Sequence, residues 1–70
     1  MNITKNKIDV IKERREKLAS QREDYLALAR RFEKSEDSGE RIDADFYYEQ
    51  AHRCFVRLSE LDIVLDVLGF

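Results

Sequence analysis

The sequence predicts an all-α fold, an antiparallel hairpin of two long helices. Three observations carry this reading. Apolar residues recur at helical spacing in two separate stretches. The chain contains no proline, and its two glycines are Gly39 and Gly69, so only one internal position invites a break. The polar segment Ser35-Glu36-Asp37-Ser38-Gly39-Glu40-Arg41 carries no apolar stripe and lies between the two stretches. An all-β fold would need many more turn residues than these.

The first helix is expected over residues 4–34, from about Thr4 to Lys34. Ile11, Leu18, Tyr25 and Phe32 recur at heptad spacing, with Ile8 and Ala29 beside them, so one stripe runs along one face. Arg15 and Arg22 also fall on this seam. Their aliphatic stems can cover it while the guanidinium heads reach water or a carboxylate. Glu13 with Lys17, and Lys12 with Glu16, have the i,i+4 spacing of helix-stabilising ion pairs.

The turn is expected over residues 35–43. Gly39 is read as the left-handed residue that ends a helix or turns a loop. Asp43 is the expected N-cap of the second helix, with Asp45 in its first turn facing the positive end of the dipole. Ile42 and Tyr47 have the spacing of a hydrophobic staple around that cap.

The second helix is expected over residues 44–68. Tyr47, Ala51, Cys54, Leu58, Leu61, Leu65 and Leu68 alternate three- and four-residue steps, with Tyr48 and Phe55 widening the stripe. Val56, Ile63 and Val67 fall almost opposite it. A helix that is apolar on two faces calls for two neighbours. A tight hairpin supplies one of them, setting Phe32 against Tyr47, Tyr25 against Ala51 and Cys54, Leu18 against Leu58, and Ile11 against Leu65. It also brings Arg15 near Asp62.

With 70 residues the chain is one domain with a small core. Cys54 is its only cysteine, so no internal disulfide can brace that core. A homodimer, two hairpins forming a four-helix bundle or coiled-coil-like assembly, would bury the second face; a different protein partner is the alternative. Residues 1–34 carry ten Lys/Arg against six Asp/Glu, a charge of +4. Residues 35–70 carry three Arg against nine acids, a charge of −6, which completes the total of −2. Opposite charge on the two halves suits antiparallel packing and is not the footprint of a nucleic-acid binder. The lone thiol, the lack of an apolar run long enough to span a bilayer, and an N-terminus without a signal-peptide core give the expectation of a soluble cytoplasmic protein.

Candidate chemistry is sparse. Lys12, Arg14, Arg15 and Lys17 could contact phosphates, although interleaved glutamates point to a solvated helix face. Glu49-Gln50-Ala51-His52 has the Glu-x-x-His spacing of four-helix di-iron proteins, but Glu49 falls opposite the core stripe and no matching glutamate stands at that level of the first helix. No metal or other cofactor is expected. Cys54 has no histidine on its own face and reads as a small core residue.

Arg57-Leu58-Ser59-Glu60-Leu61-Asp62 resembles the signature of the small aspartyl-phosphate phosphatases of sporulation control, which are also short helical hairpins. Its serine stands closer to the Leu-Asp than the family's pattern requires, and the turn falls elsewhere. The block Phe46-Tyr47-Tyr48-Glu49-Gln50-Ala51-His52-Arg53-Cys54-Phe55-Val56-Arg57-Leu58-Ser59-Glu60-Leu61-Asp62, in a short and highly charged helical chain, is similar in type to small early-region proteins of temperate bacteriophages. That likeness implies a regulatory or host-directed role through protein contacts, in the host cytoplasm. The functional expectation is a small non-enzymatic interaction or regulatory module, with Val56, Ile63, Val67 and Phe70 as contact residues. Nucleic-acid binding through the first helix and phosphatase activity are the alternatives.

Overall fold

A computed structural model describes residues 5–70. It contains two helices, α1 (Lys5–Glu33) and α2 (Ser38–Val67), packed along their length, and no strand among the described residues. At 1.5 Å per residue they are about 43 and 45 Å long. The molecule is correspondingly narrow, 55 × 15 × 13 Å. The antiparallel arrangement follows from its cross-helix contacts. Phe32 and Tyr47 meet near the turn with ring centroids 5.5 Å apart, Arg22 lies over the Phe55 ring at 5.5 Å, and Arg15 pairs with Asp62.

The buried core is a thin seam of Ile8, Leu18, Ala29, Ala44, Ala51, Cys54 and Leu65. Most of the expected stripe is present, with Ile11, Tyr25, Phe32, Tyr47, Leu58, Leu61 and Leu68 half-buried. Among the described residues three of the seven buried positions are alanines, which let the helix backbones approach closely. Near the turn the seam becomes aromatic: Tyr47 stacks on Tyr25 at 6.2 Å, tilts against Phe32 and takes Phe46 edge-on at 5.5 Å. Such offset and edge-to-face contacts suit the ring quadrupoles. Tyr25 therefore reaches Tyr47, one turn nearer the loop than the expected Ala51–Cys54 level.

The turn differs from expectation. The connection is only residues 34–37, and the N-cap of α2 is Asp37, not Asp43. The Asp37 backbone is extended (φ −76°, ψ 121°), and its Oδ1 accepts a hydrogen bond from the Gly39 N–H at 2.7 Å. Its carbonyl accepts from the Arg41 N–H at 3.1 Å, the first intrahelical bond. The Ser35 Oγ accepts from the Asp37 N–H at 3.1 Å, and the Ser35 N–H closes α1 on the Phe32 carbonyl. A side-chain acceptor here satisfies donors that a helix start leaves unpaired.

Gly39 is accordingly no left-handed turn residue, since Gly69 is the one glycine with positive φ among the described residues. It sits in the first turn of α2, where a Cβ would come 3.1 Å from the capping Asp37 Oδ1, so glycine serves the close approach of that carboxylate. Ile42 and Asp43 lie inside α2, and the staple around Asp43 does not form. The start expected at Thr4 lies outside the described residues.

The C-terminal end of α2 closes by a Schellman motif. Gly69 (φ +83°) donates to the Asp66 carbonyl at 3.0 Å, and Phe70 donates to the Leu65 carbonyl at 2.8 Å. The left-handed Gly69 reverses the chain and turns Phe70 back toward α1, with Lys12 Nζ 5.6 Å from its ring centre.

Polar links also cross the hairpin. Arg15 Nε donates to Asp62 Oδ1, and Nη2 donates to Oδ2 at 3.3 Å, a two-pronged pair at the level predicted from sequence. The hydrogen bond, then the charge of Asp62, raises the Arg15 pKa above its ordinary value. Reversing one partner, by Arg15→Asp or Asp62→Arg, is expected to lower the thermal midpoint at low salt. Reversing both should cost less than the sum of the two. Strictly additive losses in a double-mutant cycle would refute the coupling.

At the other end the Tyr48 hydroxyl donates to Glu33 Oε2 at 2.6 Å. That hydrogen bond, then desolvation and the Glu33 charge, raise the Tyr48 pKa above the usual tyrosine value. The fold thus favours the neutral phenol. Its contribution is complete below the unfolded tyrosine pKa of about 10 and is lost as the pH rises through the higher folded value. Wild type should exceed Tyr48→Phe in denaturation midpoint at neutral pH, and the gap should close in alkali. Midpoints that run parallel across that range would remove the link.

Candidate interaction surface

Most of α2's exposed apolar side chains lie away from α1. Counting from the corrected helix start, Ile42, Phe46, Glu49, Arg53, Val56, Glu60, Ile63 and Val67 are spaced by alternating steps of four and three residues. At 3.6 residues per turn this spacing defines one continuous seam that drifts slowly around the helix, by about 20° per heptad. The core residues Ala44, Tyr47, Ala51, Cys54, Leu58, Leu61 and Leu65 form a second seam, displaced by roughly half a turn of the helix. Thus α2 has an inner seam buried against α1 and an outer seam facing away from it. The outer seam ends are strongly exposed, with Ile42 70%, Ile63 63% and Val67 79% accessible. Phe46 and Val56 are exposed as well, and Val64 flanks the C-terminal end.

The middle of the outer seam is charged. Arg53 Nη2 donates to Glu49 Oε1 at 2.9 Å, an exposed i,i+4 pair. Glu60 is exposed and forms no ion pair among the described residues. The pattern is therefore apolar at both ends and polar at the centre.

Of the predicted contact residues, Val56, Ile63 and Val67 fall on this seam. Phe70 does not, because the Schellman turn carries it to the α1 side, where it borders a cleft with Lys12, Arg15 and Leu65. The sequence reading missed Ile42 and Phe46. The signal for Ile42 was the seven-residue step through Glu49 to Val56 and Ile63, hidden because a cap at Asp43 would have left Ile42 outside the helix. Phe46 lay inside the expected helix, and its seven-residue steps lead to the charged Arg53 and Glu60.

The basic residues of α1 divide. Lys12 and Arg15 are engaged with α2 through Phe70 and Asp62, whereas Arg14 and Lys17 are exposed. They do not present four free cations on one surface. Glu49 of the Glu-x-x-His pattern is turned to Arg53, and His52 borders a shallow cleft of about 210 Å³ with Arg22, Leu26, Tyr48, Ala51 and Phe55. No group of three or more potential metal ligands occurs among the described residues. Cys54 is a buried free thiol. Among the described residues no helix is long and apolar enough to cross a membrane.

No protein family, curated protein or solved structure matches the chain.

Proposed function

We propose that this protein is a small non-enzymatic interaction module that works by docking the outer seam of α2 onto another helical protein surface. The observation carrying this reading is the run of exposed apolar residues on a helix whose opposite face is already satisfied by α1. A thin hairpin gains a second packing layer by covering that seam, and apolar anchors at three- and four-residue steps are the usual currency of helix-face recognition. A second copy of the hairpin is one such surface; the regulatory, phage-like role implied by sequence type would use another protein.

The two alternatives find less support. Phosphate binding through α1 would have to draw Lys12 and Arg15 away from Phe70 and Asp62. Phosphatase chemistry would need the Asp62 carboxylate, both oxygens of which accept from Arg15.

The reading is tested with a photo-cross-linking residue at Val56, Ile63 or Val67, compared with Arg14 or Lys17 on α1, in cells that make the protein. Discrete protein adducts, to itself or to another chain, are expected from the α2 positions and not from α1. Adducts from α1 alone, or nucleic-acid adducts, would overturn it.

A further inference from the structure

We infer that the outer seam is covered by a second copy of this chain, whose α2 lies antiparallel to the first with the two-fold axis crossing between Arg53 and Val56. The inference rests on the seam being an interaction surface and adds its occupant and register. Read from either end, the seam has the same order: two apolar residues, a carboxylate, a central pair, a carboxylate, two apolar residues. From the start these are Ile42 and Phe46, Glu49, Arg53 and Val56, Glu60, then Ile63 and Val67. A two-fold interface requires such self-complementarity, because each patch must meet its own reversed copy. In this register Ile42 meets the partner's Val67, Phe46 meets the partner's Ile63, and the Arg53 stem lies against the partner's Val56.

The charges select the direction. Glu60 has no ion pair among the described residues, and Arg53 is tied to Glu49 through Nη2. In the antiparallel pair, Glu49 and the partner's Glu60 come level, and Arg53 stands one turn, about 5–6 Å along the axis, from both. A guanidinium with five N–H donors can bridge two carboxylates at that separation. The two-fold axis repeats the bridge, so both Glu60 carboxylates acquire a cation. A parallel pair in register would set Arg53 level with Arg53 and leave each Glu60 level with the other, about 10 Å along the axis from the nearest Arg53.

Because the outer seam points away from α1, the assembly has its two α2 helices at the centre and an α1 on each flank. This is a four-helix layer, not a square bundle.

Disulfide trapping of Phe46→Cys and Ile63→Cys, both at exposed positions, tests the register while leaving the hairpin core intact. Wild type, whose only thiol is buried, is the control. Sedimentation is expected to give a dimer for wild type. Under mild oxidation a mixture of the two variants should form heterodisulfides, and each variant alone should not. The same position recurs about 25 Å away in the antiparallel pair, whereas a disulfide needs Cα atoms within about 7 Å. Arg53→Glu should weaken the dimer about tenfold, because it removes the bridging cation and sets a third carboxylate beside Glu49 and the partner's Glu60.

Homodisulfides from either variant alone would establish a parallel pair and overturn the inference. A dimer in which neither the mixture nor the single variants cross-link would overturn the register. A monomer at every concentration would overturn the second copy as occupant; seam-specific adducts to a different protein would then leave the interaction-module reading standing.

Discussion

Replacing Leu18 by alanine is expected to lower the unfolding free energy by about 2–3 kcal/mol, the lower part of the range for buried leucines. Leu18 is 3% exposed, one of three large aliphatic residues in the buried seam with Ile8 and Leu65. Truncation removes apolar contact from a core with little to spare. A two-helix layer is open on both sides, so the helices can close partly on the vacated space, which places the loss toward the lower end. It still represents a large share of the stability that a domain this small holds. Val67→Ala makes a similar reduction at an exposed outer-seam position and should cost the isolated hairpin under about 0.5 kcal/mol. Urea titrations followed by far-ultraviolet circular dichroism compare them at several protein concentrations, because self-association would make the midpoint concentration-dependent. A Leu18→Ala loss below about 1 kcal/mol would contradict the inner seam as the source of stability.

The hairpin was legible because its two inner stripes obey one period over many turns. That redundancy fixed Leu18, Ala51, Cys54 and Leu65 on the core side, and the register of a tight hairpin placed Arg15 near Asp62. The helix start of α2 was harder to read. Asp37 and Asp43 are both good caps, and glycine is equally at home in a left-handed turn and near a cap. The deciding facts were three-dimensional: the Asp37 carboxylate reaches the Gly39 N–H, and Ala44 is buried against α1. Moving the start back brought Ile42 into the helix, one turn before Phe46, and revealed the full outer seam. Phe70 illustrates a different limit. Its place in sequence extends the seven-residue repeat of Ile42, Val56 and Ile63, but the backbone reverses at Gly69, and periodicity carries no information beyond a helix end.

The alanines in the inner seam lead to the second large effect. Ala29→Leu is expected to destabilise the hairpin by about 1–3 kcal/mol despite adding apolar surface. Ala29 is fully buried, with Ala44 and Ala51 nearly so, and no large side chain fills the space between the helices at these positions. Leucine has almost the helix propensity of alanine, so the substitution changes packing while leaving the tendency to form α1 nearly constant. Its added carbons can be accommodated only by moving the helices apart or tilting them. Tyr25 and Phe32 lie one turn to either side of Ala29, and both touch Tyr47. Separation here should therefore loosen the aromatic cluster and reduce the near-ultraviolet dichroism of the tyrosines as well as the melting temperature. Ala27→Leu, at an exposed position on the same helix, supplies the comparison and should change stability little. If Ala29→Leu melts with Ala27→Leu and keeps the tyrosine signal, the close helix approach is wrong. If it alone is destabilised, alanine is required there because its small size lets the two backbones meet, and the stability of the hairpin depends on that contact as well as on the amount of apolar surface it buries.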